Sequence, residues 1–491
     1  MAAHTTLELA SLYQRLHHAP TYSAWSAIAH EIDLHSGAAA WKQMDKTKLY
    51  DYPQLRQRLE ALQHHRQQGN DHALLFALNE GIHGNLCGMG KAALYGVATI
   101  GTKQLIEDYV DAIVDALEYI AGLDDASISR EEKLDFFHRA SHCYGRTALM
   151  LSGGGALGHF HVGVIKALLD QQLLPNILSG SSVGSLVTAI CGTHRDDELR
   201  QLSHQQMLLG GTKREAKLLN QLLFGRAAQI DVRDLEAIVL RLVPDLTFQE
   251  ALALTGRHIN ISVAPAELHQ TSRLLNAITS PNVYIRKAVM ASCAVPGVYP
   301  PVMLEAKNVE GQRQPYLPTW RWIDGSVSDD LPAKRLARLY GVNHYIGSLI
   351  NPIMLLSKDG GGEHTRIPQC LRNGLHSSAN QLNKLGNGVN QRYTRRWQRI
   401  TVPLKMFDSI LSQKYSADIN IYADFRRFDL RKILSHLTEL ELIRLEQQGA
   451  RATWPHLERI RISSKIGLTL DRILATYTGE ERRNAVFKHS A

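Results

Sequence analysis

Two segments without charged side chains constrain this chain more than any other feature. Residues 147–165 and 171–194 contain no Asp, Glu, Lys or Arg. Each is long enough to cross a bilayer as a helix, but Gly, Ser, Asn, Pro or His interrupts both at intervals. Each also begins with an apolar run, continues through a turn and ends in a helical pattern. Because strands buried on both faces of a parallel sheet look like this, we interpret both as strand–turn–helix units.

Further apolar runs alternate with helical stretches after these two units, which is typical of an α/β domain with a mainly parallel central sheet. We predict that this domain spans residues 147–350. The additional strands are expected at 259–264, 321–324 and 344–350.

Helical regions are predicted on either side of the sheet domain, over 1–145 and 351–491. Apolar residues recur at helical spacing within 105–120. Ser129 and Glu132 form a capping-box pattern, which predicts a helix that begins there and runs to about Tyr144.

Composition indicates a globular protein but does not by itself indicate a function. The chain has 491 residues, of which 44% are hydrophobic and 21% charged, as expected for a globular protein of several units. A net charge of +8 suits an anionic surface such as a membrane or nucleic acid, or it serves solubility alone. Five scattered cysteines without a CxxC pair indicate a reducing compartment rather than disulfides or zinc. With no signal-peptide pattern at the N-terminus, we expect a cytoplasmic protein.

The most informative short motif is G-x-S-x-G, formed by Gly180, Ser182 and Gly184 between an apolar run and a helical pattern. In this motif the serine is a nucleophile on a strained turn, and the glycines relieve crowding around it. A serine at a helix start is also a common N-cap, so Ser182 has a structural interpretation as well.

A glycine-rich turn, Gly153-Gly154-Gly155, follows the preceding strand. Its amides could hold an oxyanion, or, with Gly158, the turn could bind a dinucleotide through G-x-G-x-x-G. Dinucleotide binding requires an acid near the end of the second strand, where this chain has Ser182 instead. The oxyanion hole is therefore favoured and a nicotinamide cofactor is not expected.

Two kinds of base could activate Ser182. Asp324 precedes Gly325 after an apolar run, and a partly desolvated carboxylate there could accept the proton, although Asp-Gly is also an ordinary turn. Alternatively, a late histidine could act as in other serine hydrolases. Five are available: His344, His364, His376, His436 and His456.

Two other features have less specific interpretations. His159 and His161 diverge on a helix and lack further ligand types nearby, so we interpret them as core or pocket-lining residues rather than metal ligands. The segment 289–302 predicts a helix end stopped by Pro296, at a pocket wall or a packed connection.

Three motifs in this order, LSGGGALGHFHVGV, GSSVGS and DGSVSDDLP, resemble the patatin-like phospholipase family. The similarity is closest to its triacylglycerol-lipase-like branch, which also has an N-terminal helical region with stretches like TYSAW and KLYDYPQLRQRLEAL. With GARATWPHLERIR near the C-terminus, the resemblance covers most of the chain.

The resemblance implies a patatin-like three-layer α/β domain and a lipid acyl hydrolase that uses a Ser-Asp dyad. Ser182 would be the nucleophile, Asp324 its base, and the 153–155 glycines the oxyanion hole. No metal or organic cofactor is expected. The substrate would be a glycerolipid, with no nucleic-acid partner.

A glycerolipid substrate implies peripheral association with a membrane or lipid-droplet surface. The N-terminal helices and residues 366–400 are candidates for docking. Leu157 stands where many family members have Lys or Arg, which disfavours phosphate recognition and leaves neutral glycerides open. His159 replaces a residue that is usually apolar or small. A histidine-dependent esterase and a catalytically silent lipid-binding protein remain alternatives.

Overall fold

The computed structural model describes residues 2–154, 157–202, 232–267, 271–295, 299–327, 330–351, 417–424 and 438–489. The chain divides into two compact units. The helical unit comprises Met1–Thr147, Tyr340–His344 and Thr453–Ala491, and the sheet unit comprises Ala148–Leu339 and Tyr345–Ala452.

The described helices are numbered in chain order. They are α1 Ala2–His18, α2 Tyr22–Ser36, α3 Ala38–Gln43, α4 Tyr52–Gln68, α5 Asp71–Gly81, α6 Gln104–Gly122, α7 Arg130–Tyr144, α8 Gly158–Asp170, α9 Val183–Thr193, α10 Asp196–Gln201, α11 Val232–Leu242, α12 Phe248–Thr255, α13 Ile285–Ser292, α14 Ala333–Tyr340, α15 Glu439–Thr453 and α16 Leu457–His489.

The core of the helical unit joins distant parts of the sequence. As predicted, α6 covers the apolar stretch within 105–120, and Ser129 caps α7 by accepting a hydrogen bond from the Glu132 amide at 3.2 Å. The core also includes apolar residues of α16, among them Ile466 and Tyr477. The predicted 351–491 region is thus divided between the units, because α16 buries its apolar face against N-terminal helices.

The described strands form one seven-stranded sheet and a separate hairpin. They are β1 Arg146–Leu151, β2 Ile177–Gly180, β3 His258–Pro265, β4 Arg273–Leu275, β5 Leu304–Lys307, β6 Arg313–Tyr316, β7 Trp322–Asp324, β8 Val342–Leu349 and β9 Ile419–Tyr422. All strands predicted from the sequence are present, within about two residues at their ends.

The sheet is mainly parallel, which confirms the predicted fold class. Its strand order is β4-β3-β2-β1-β8-β9, with β7 also paired to β3. Strands β1, β2 and β3 pair in parallel, as do β8 and β9, whereas β4 and β7 run antiparallel to β3. Since Leu151 pairs with Gly180, the turns that follow β1 and β2 leave the sheet at the same edge, where α/β proteins bind ligands.

The two uncharged segments are confirmed as strand–turn–helix units, β1–α8 and β2–α9. In the part of the chain that the structure describes, no helix is both long enough and apolar enough to cross a bilayer.

Helix α8 and helix α15 cross at a pair of glycines. A Cβ atom on Gly163 would lie 1.9 Å from the Glu446 carbonyl oxygen, and one on Gly449 would lie 2.1 Å from the Phe160 carbonyl oxygen. The two backbones therefore touch directly. Because α8 begins just after the glycine-rich turn, this crossing fixes the helix on which the turn depends.

We expect Gly163→Ala to destabilise the sheet unit by about 1–3 kcal/mol, since the added methyl group must force the α8 and α15 backbones apart. Thermal unfolding followed by circular dichroism would measure the change. The matched control is Gly479→Ala, at an exposed helical glycine with open space around it, which should be neutral or slightly stabilising. An unchanged Tm for Gly163→Ala would contradict the tight crossing.

Candidate active site

Ser182 lies on a strained turn between β2 and α9. Its φ of 50° and ψ of −126° fall in a region that non-glycine residues rarely occupy. Ser182 is the residue before the first turn of α9, yet its side chain makes no capping hydrogen bond. The N-cap interpretation therefore does not account for this serine. Backbone strain of this kind persists where the surroundings enforce it, and it concentrates at functional sites.

The glycines flanking Ser182 are required by close backbone packing. A Cβ atom on Gly180 would lie 2.2 Å from the Gly184 carbonyl oxygen, and one on Gly184 would lie 2.3 Å from the Leu151 carbonyl oxygen. Two other glycines of the predicted motifs are equally confined. A Cβ atom on Gly158 would lie 2.4 Å from the Val183 side chain, and one on Gly325 would lie 2.4 Å from the Ser262 backbone.

A buried serine that the sequence did not single out holds the Ser182 backbone. The Ser182 amide donates to the Ser292 hydroxyl at 3.0 Å, and that hydroxyl donates to the Ser262 carbonyl at 2.8 Å. Ser292 ends α13, in the segment predicted as a pocket wall or connection. The only signal in the sequence was a lone serine within an apolar helix end.

Asp324 ends β7 and is 2% exposed. Its carboxylate accepts the Ser326 amide at 2.8 Å, which is the ordinary Asp-Gly turn expected from the sequence. The hydroxyl groups of Ser326 and Ser182 lie close enough to this carboxylate to favour its charged form. Burial nevertheless raises the pKa of Asp324 to about 6 and outweighs these polar neighbours, which act to lower it. The structure thus brings Ser182 and Asp324 together.

The glycine-rich turn lies next to this pair. A Cβ atom on Gly153 would be 3.5 Å from the Ser182 Cβ atom, and one on Gly154 would clash with Ile350 at 2.5 Å. The Gly153 amide donates to Asp330 at 2.9 Å, so it is engaged within the protein. Among the described residues, the Gly154 amide has no acceptor. Gly155 lies outside the described residues.

Asp330 connects the glycine-rich turn to the Ser182 turn. The carboxylate oxygen that accepts the Gly153 amide also accepts the Ser181 hydroxyl. Asp330 is 1% exposed and Ser181 is fully buried. Sequence reasoning did not identify this residue, because it stands in the same acidic run as Asp329 and nothing in the spacing distinguishes the two.

His161 supports the glycine-rich turn from the protein interior. It is fully buried, with Nε2 at 2.9 Å from the Ser152 carbonyl and Nδ1 at 2.7 Å from the Ser348 hydroxyl. A carbonyl only accepts, so Nε2 carries the proton and Nδ1 accepts from Ser348. Burial lowers the pKa of His161 to about 4, which keeps the ring neutral. Its interpretation as a core residue is confirmed, and His159 is buried as well.

The alternative histidine bases are only partly described. His364, His376 and His436 lie outside the described residues, as does the docking candidate 366–400. His344 and His456 belong to the helical unit. Among the described residues, the hydrogen-bond partners of Ser182 are Ser292, Ser185 and Leu186, and none is a histidine.

Comparison with known protein families finds two family models that match different parts of this chain. The family model described as patatin-like phospholipase matches residues 149–337, which contain the Ser182 turn, the glycine-rich turn and Asp324. A second model, described as a domain of unknown function (DUF3336), matches residues 3–142.

Curated relatives match over nearly the whole chain. Triacylglycerol lipase SDP1L of Arabidopsis thaliana is 32% identical over 92% of this chain and 57% of its own length. A patatin-like phospholipase domain-containing protein of Aspergillus terreus is 32% identical over 93% of this chain and 67% of its own length. Triacylglycerol lipase ptl3 of Schizosaccharomyces pombe is 29% identical over 96% and 98%. The chain spans little more than half the length of the Arabidopsis relative.

The buried neutral His161 predicts a pH dependence of stability. Its pKa is about 6.5 when unfolded and about 4 when folded, so the unfolded state binds the proton more readily. Its contribution is present above pH 6.5 and falls by up to about 3 kcal/mol as the pH drops to 4. We expect His161→Gln to remove this part of the dependence, measured as the free energy of unfolding in urea from pH 7.5 to 4.

The difference between wild type and His161→Gln at each pH is the quantity to compare. It cancels the parallel contribution of His456, whose pKa is also lowered to about 4 by burial. A difference that stays constant across this range would show that His161 is not held neutral beneath the turn.

Proposed function

Because this chain belongs to the patatin-like phospholipase family, we propose that it is a serine hydrolase that cleaves carboxylic ester bonds of glycerolipids. In this proposal Ser182 is the nucleophile and Asp324 is its general base. One observation carries the proposal: the hydroxyl of a serine on a strained turn lies beside a buried carboxylate whose pKa is raised to about 6. A serine hydroxyl needs such a base to become a good nucleophile.

The first chemical step forms an acyl-enzyme. Asp324 accepts the proton of the Ser182 hydroxyl as the Ser182 oxygen bonds to the ester carbonyl carbon. The tetrahedral intermediate then breaks its bond to the alcohol, and Asp324 returns the proton to that leaving group. In the second step Asp324 takes a proton from water as the water oxygen bonds to the acyl carbon. The intermediate then breaks its bond to the Ser182 oxygen, and Asp324 returns the proton to that oxygen, which releases the fatty acid and restores Ser182.

Backbone amides would stabilise the negative oxygen of each intermediate. The amide of Gly154, which has no acceptor among the described residues, is the best supported donor. Gly155 remains a predicted donor, whereas the engagement of the Gly153 amide by Asp330 argues against a donor role for Gly153. The positive end of the α9 dipole adds to this field at Ser182.

The substrate class is proposed from two sources. Two of the relatives above are named triacylglycerol lipases. In this chain Leu157 is fully buried and supplies no cation beside the glycine-rich turn, which favours a neutral glyceride over a phospholipid. Such substrates are insoluble, so we propose peripheral association with a membrane or lipid-droplet surface, which the net charge of +8 would assist at an anionic surface.

We expect Ser182→Ala and Asp324→Asn each to lower turnover by at least about 10³-fold, because members of a nucleophile–base pair act as a unit. Fatty-acid release from a triolein emulsion and from phosphatidylcholine vesicles would measure this effect and distinguish the two lipid classes. Labelling of the wild type by a serine-directed fluorophosphonate should disappear in Ser182→Ala.

The matched control is Ser179→Ala, which removes a buried hydroxyl in β2 that has no partner among the described residues. It should retain near wild-type activity. Near wild-type turnover by folded Asp324→Asn would indicate a histidine base instead. An unlabelled and inactive wild type would favour the catalytically silent alternative.

The raised pKa of Asp324 predicts an acid limb in the rate profile. A general base must be ionised, so kcat/KM should fall as the pH drops through about 6, about two units above the usual limb of an aspartate. A soluble p-nitrophenyl ester avoids effects of pH on a lipid interface. The residual activity of Asp324→Asn should lack this limb. A limb near pH 4 in the wild type would argue against a buried base.

A further inference from the structure

We propose that Asp330 is a positioning residue that ties the oxyanion turn to the nucleophile turn. The inference rests on the proposed function, and it goes further by assigning a separate role to Asp330, which is buried like Asp324. Its basis is the convergence of two hydrogen bonds from different turns on one oxygen atom, Oδ1 of Asp330.

The two groups that Asp330 holds lie directly next to the groups that would react. The Gly153 amide precedes Gly154, the proposed oxyanion donor, and a Cβ atom on Gly153 would be only 3.5 Å from that of Ser182. The Ser181 hydroxyl precedes Ser182 in the strained turn. One carboxylate oxygen therefore sets the distance between the proposed oxyanion donor and the nucleophile.

The burial of this bridge makes it stiff. Asp330 is 1% exposed, Ser181 is fully buried and Gly153 is also buried, so water cannot readily replace either hydrogen bond. A second contact fixes the same turn, since the Ser181 amide donates to the Leu151 carbonyl at 3.3 Å. Misplacement of a catalytic group by about 1 Å can lower the rate by about 10²-fold, and an oxyanion donor acts mainly on the transition state rather than on substrate binding.

Their contacts distinguish the two aspartates. The Ser182 hydroxyl lies near the Asp324 carboxylate, whereas the Asp330 carboxylate accepts hydrogen bonds from the Gly153 amide and the Ser181 hydroxyl. Asp330 thus acts through its neighbours and not on the reacting atoms. An asparagine at this position would keep an acceptor oxygen of the same shape, while an alanine would remove it.

The test compares Asp330→Ala with Asp330→Asn. We expect Asp330→Ala to lower kcat by about 10²-fold, the loss expected when an oxyanion donor is misplaced, with KM for a p-nitrophenyl ester nearly unchanged. Asp330→Asn should remain within about tenfold of wild type. Active-site titration with a fluorophosphonate gives kcat per functional site, so a partly unfolded sample cannot imitate the effect.

A second readout does not depend on catalysis. Amide hydrogen exchange in peptides covering residues 151–154 and 177–183 should become faster in Asp330→Ala and stay close to wild type in Asp330→Asn. The control is Asp33→Ala in the helical unit, which removes another buried carboxylate that accepts two backbone amides, those of Thr99 and Ile100. It should lower Tm without changing kcat per functional site or exchange in these peptides.

The outcomes separate this proposal from the assignment of the reaction. Unchanged exchange and unchanged kcat per site in Asp330→Ala would overturn the positioning role while leaving the Ser182–Asp324 pair intact. Loss of activity in Asp330→Asn equal to that in Asp330→Ala would also overturn it, because the charge rather than the acceptor would then matter. If the wild type neither labels nor hydrolyses esters, the proposed function fails, and the catalytic part of this role fails with it.

Discussion

The close approach of backbone to backbone around Ser182 is the constraint on which the rest of the site depends. Gly180 and Gly184 let β2 turn sharply into α9 against the end of β1, and this packing holds Ser182 at a positive φ. The parallel pairing of β1 with β2 then places the glycine-rich turn beside it. A strained backbone at Ser182 costs folding free energy, and the buried hydrogen bonds around the turn offset that cost.

In the proposed mechanism, two adjacent serines act with two different aspartates. The Ser182 hydroxyl lies near Asp324, and the Ser181 hydroxyl donates to Asp330. The first carboxyl is buried with hydroxyl partners, and its burial raises its basicity to a range useful near neutral pH. The second carboxyl, Asp330, accepts a backbone amide and a hydroxyl, and we propose that it positions both turns. Two aspartates only six residues apart, Asp324 and Asp330, thus differ in their proposed roles because they have different neighbours.

Sequence patterns predicted a large part of this protein. The two uncharged segments, their glycines and the apolar runs predicted the mainly parallel sheet, and the order of motifs selected Ser182 and Asp324. They could not assign the partner of each residue. Asp329 and Asp330 are adjacent aspartates that no sequence pattern distinguishes, and Ser292 is one small residue in an apolar helix end. The sequence likewise did not predict that α16 packs in the helical unit. An amphipathic pattern shows that a helix buries one face, but it does not show which other helices that face contacts.

The sequence by itself determined local conformation and residue chemistry: which runs become strands, where glycine permits a tight turn, and which side chains can donate or accept a proton. Only the tertiary structure decided which of those groups meet. It engaged the Gly153 amide with Asp330, held His161 neutral beneath the turn, and removed Asp324 from water so that its pKa rises to about 6. The physical reason is that hydrogen-bond partners and desolvation depend on neighbours that are distant in sequence, and no local pattern encodes them.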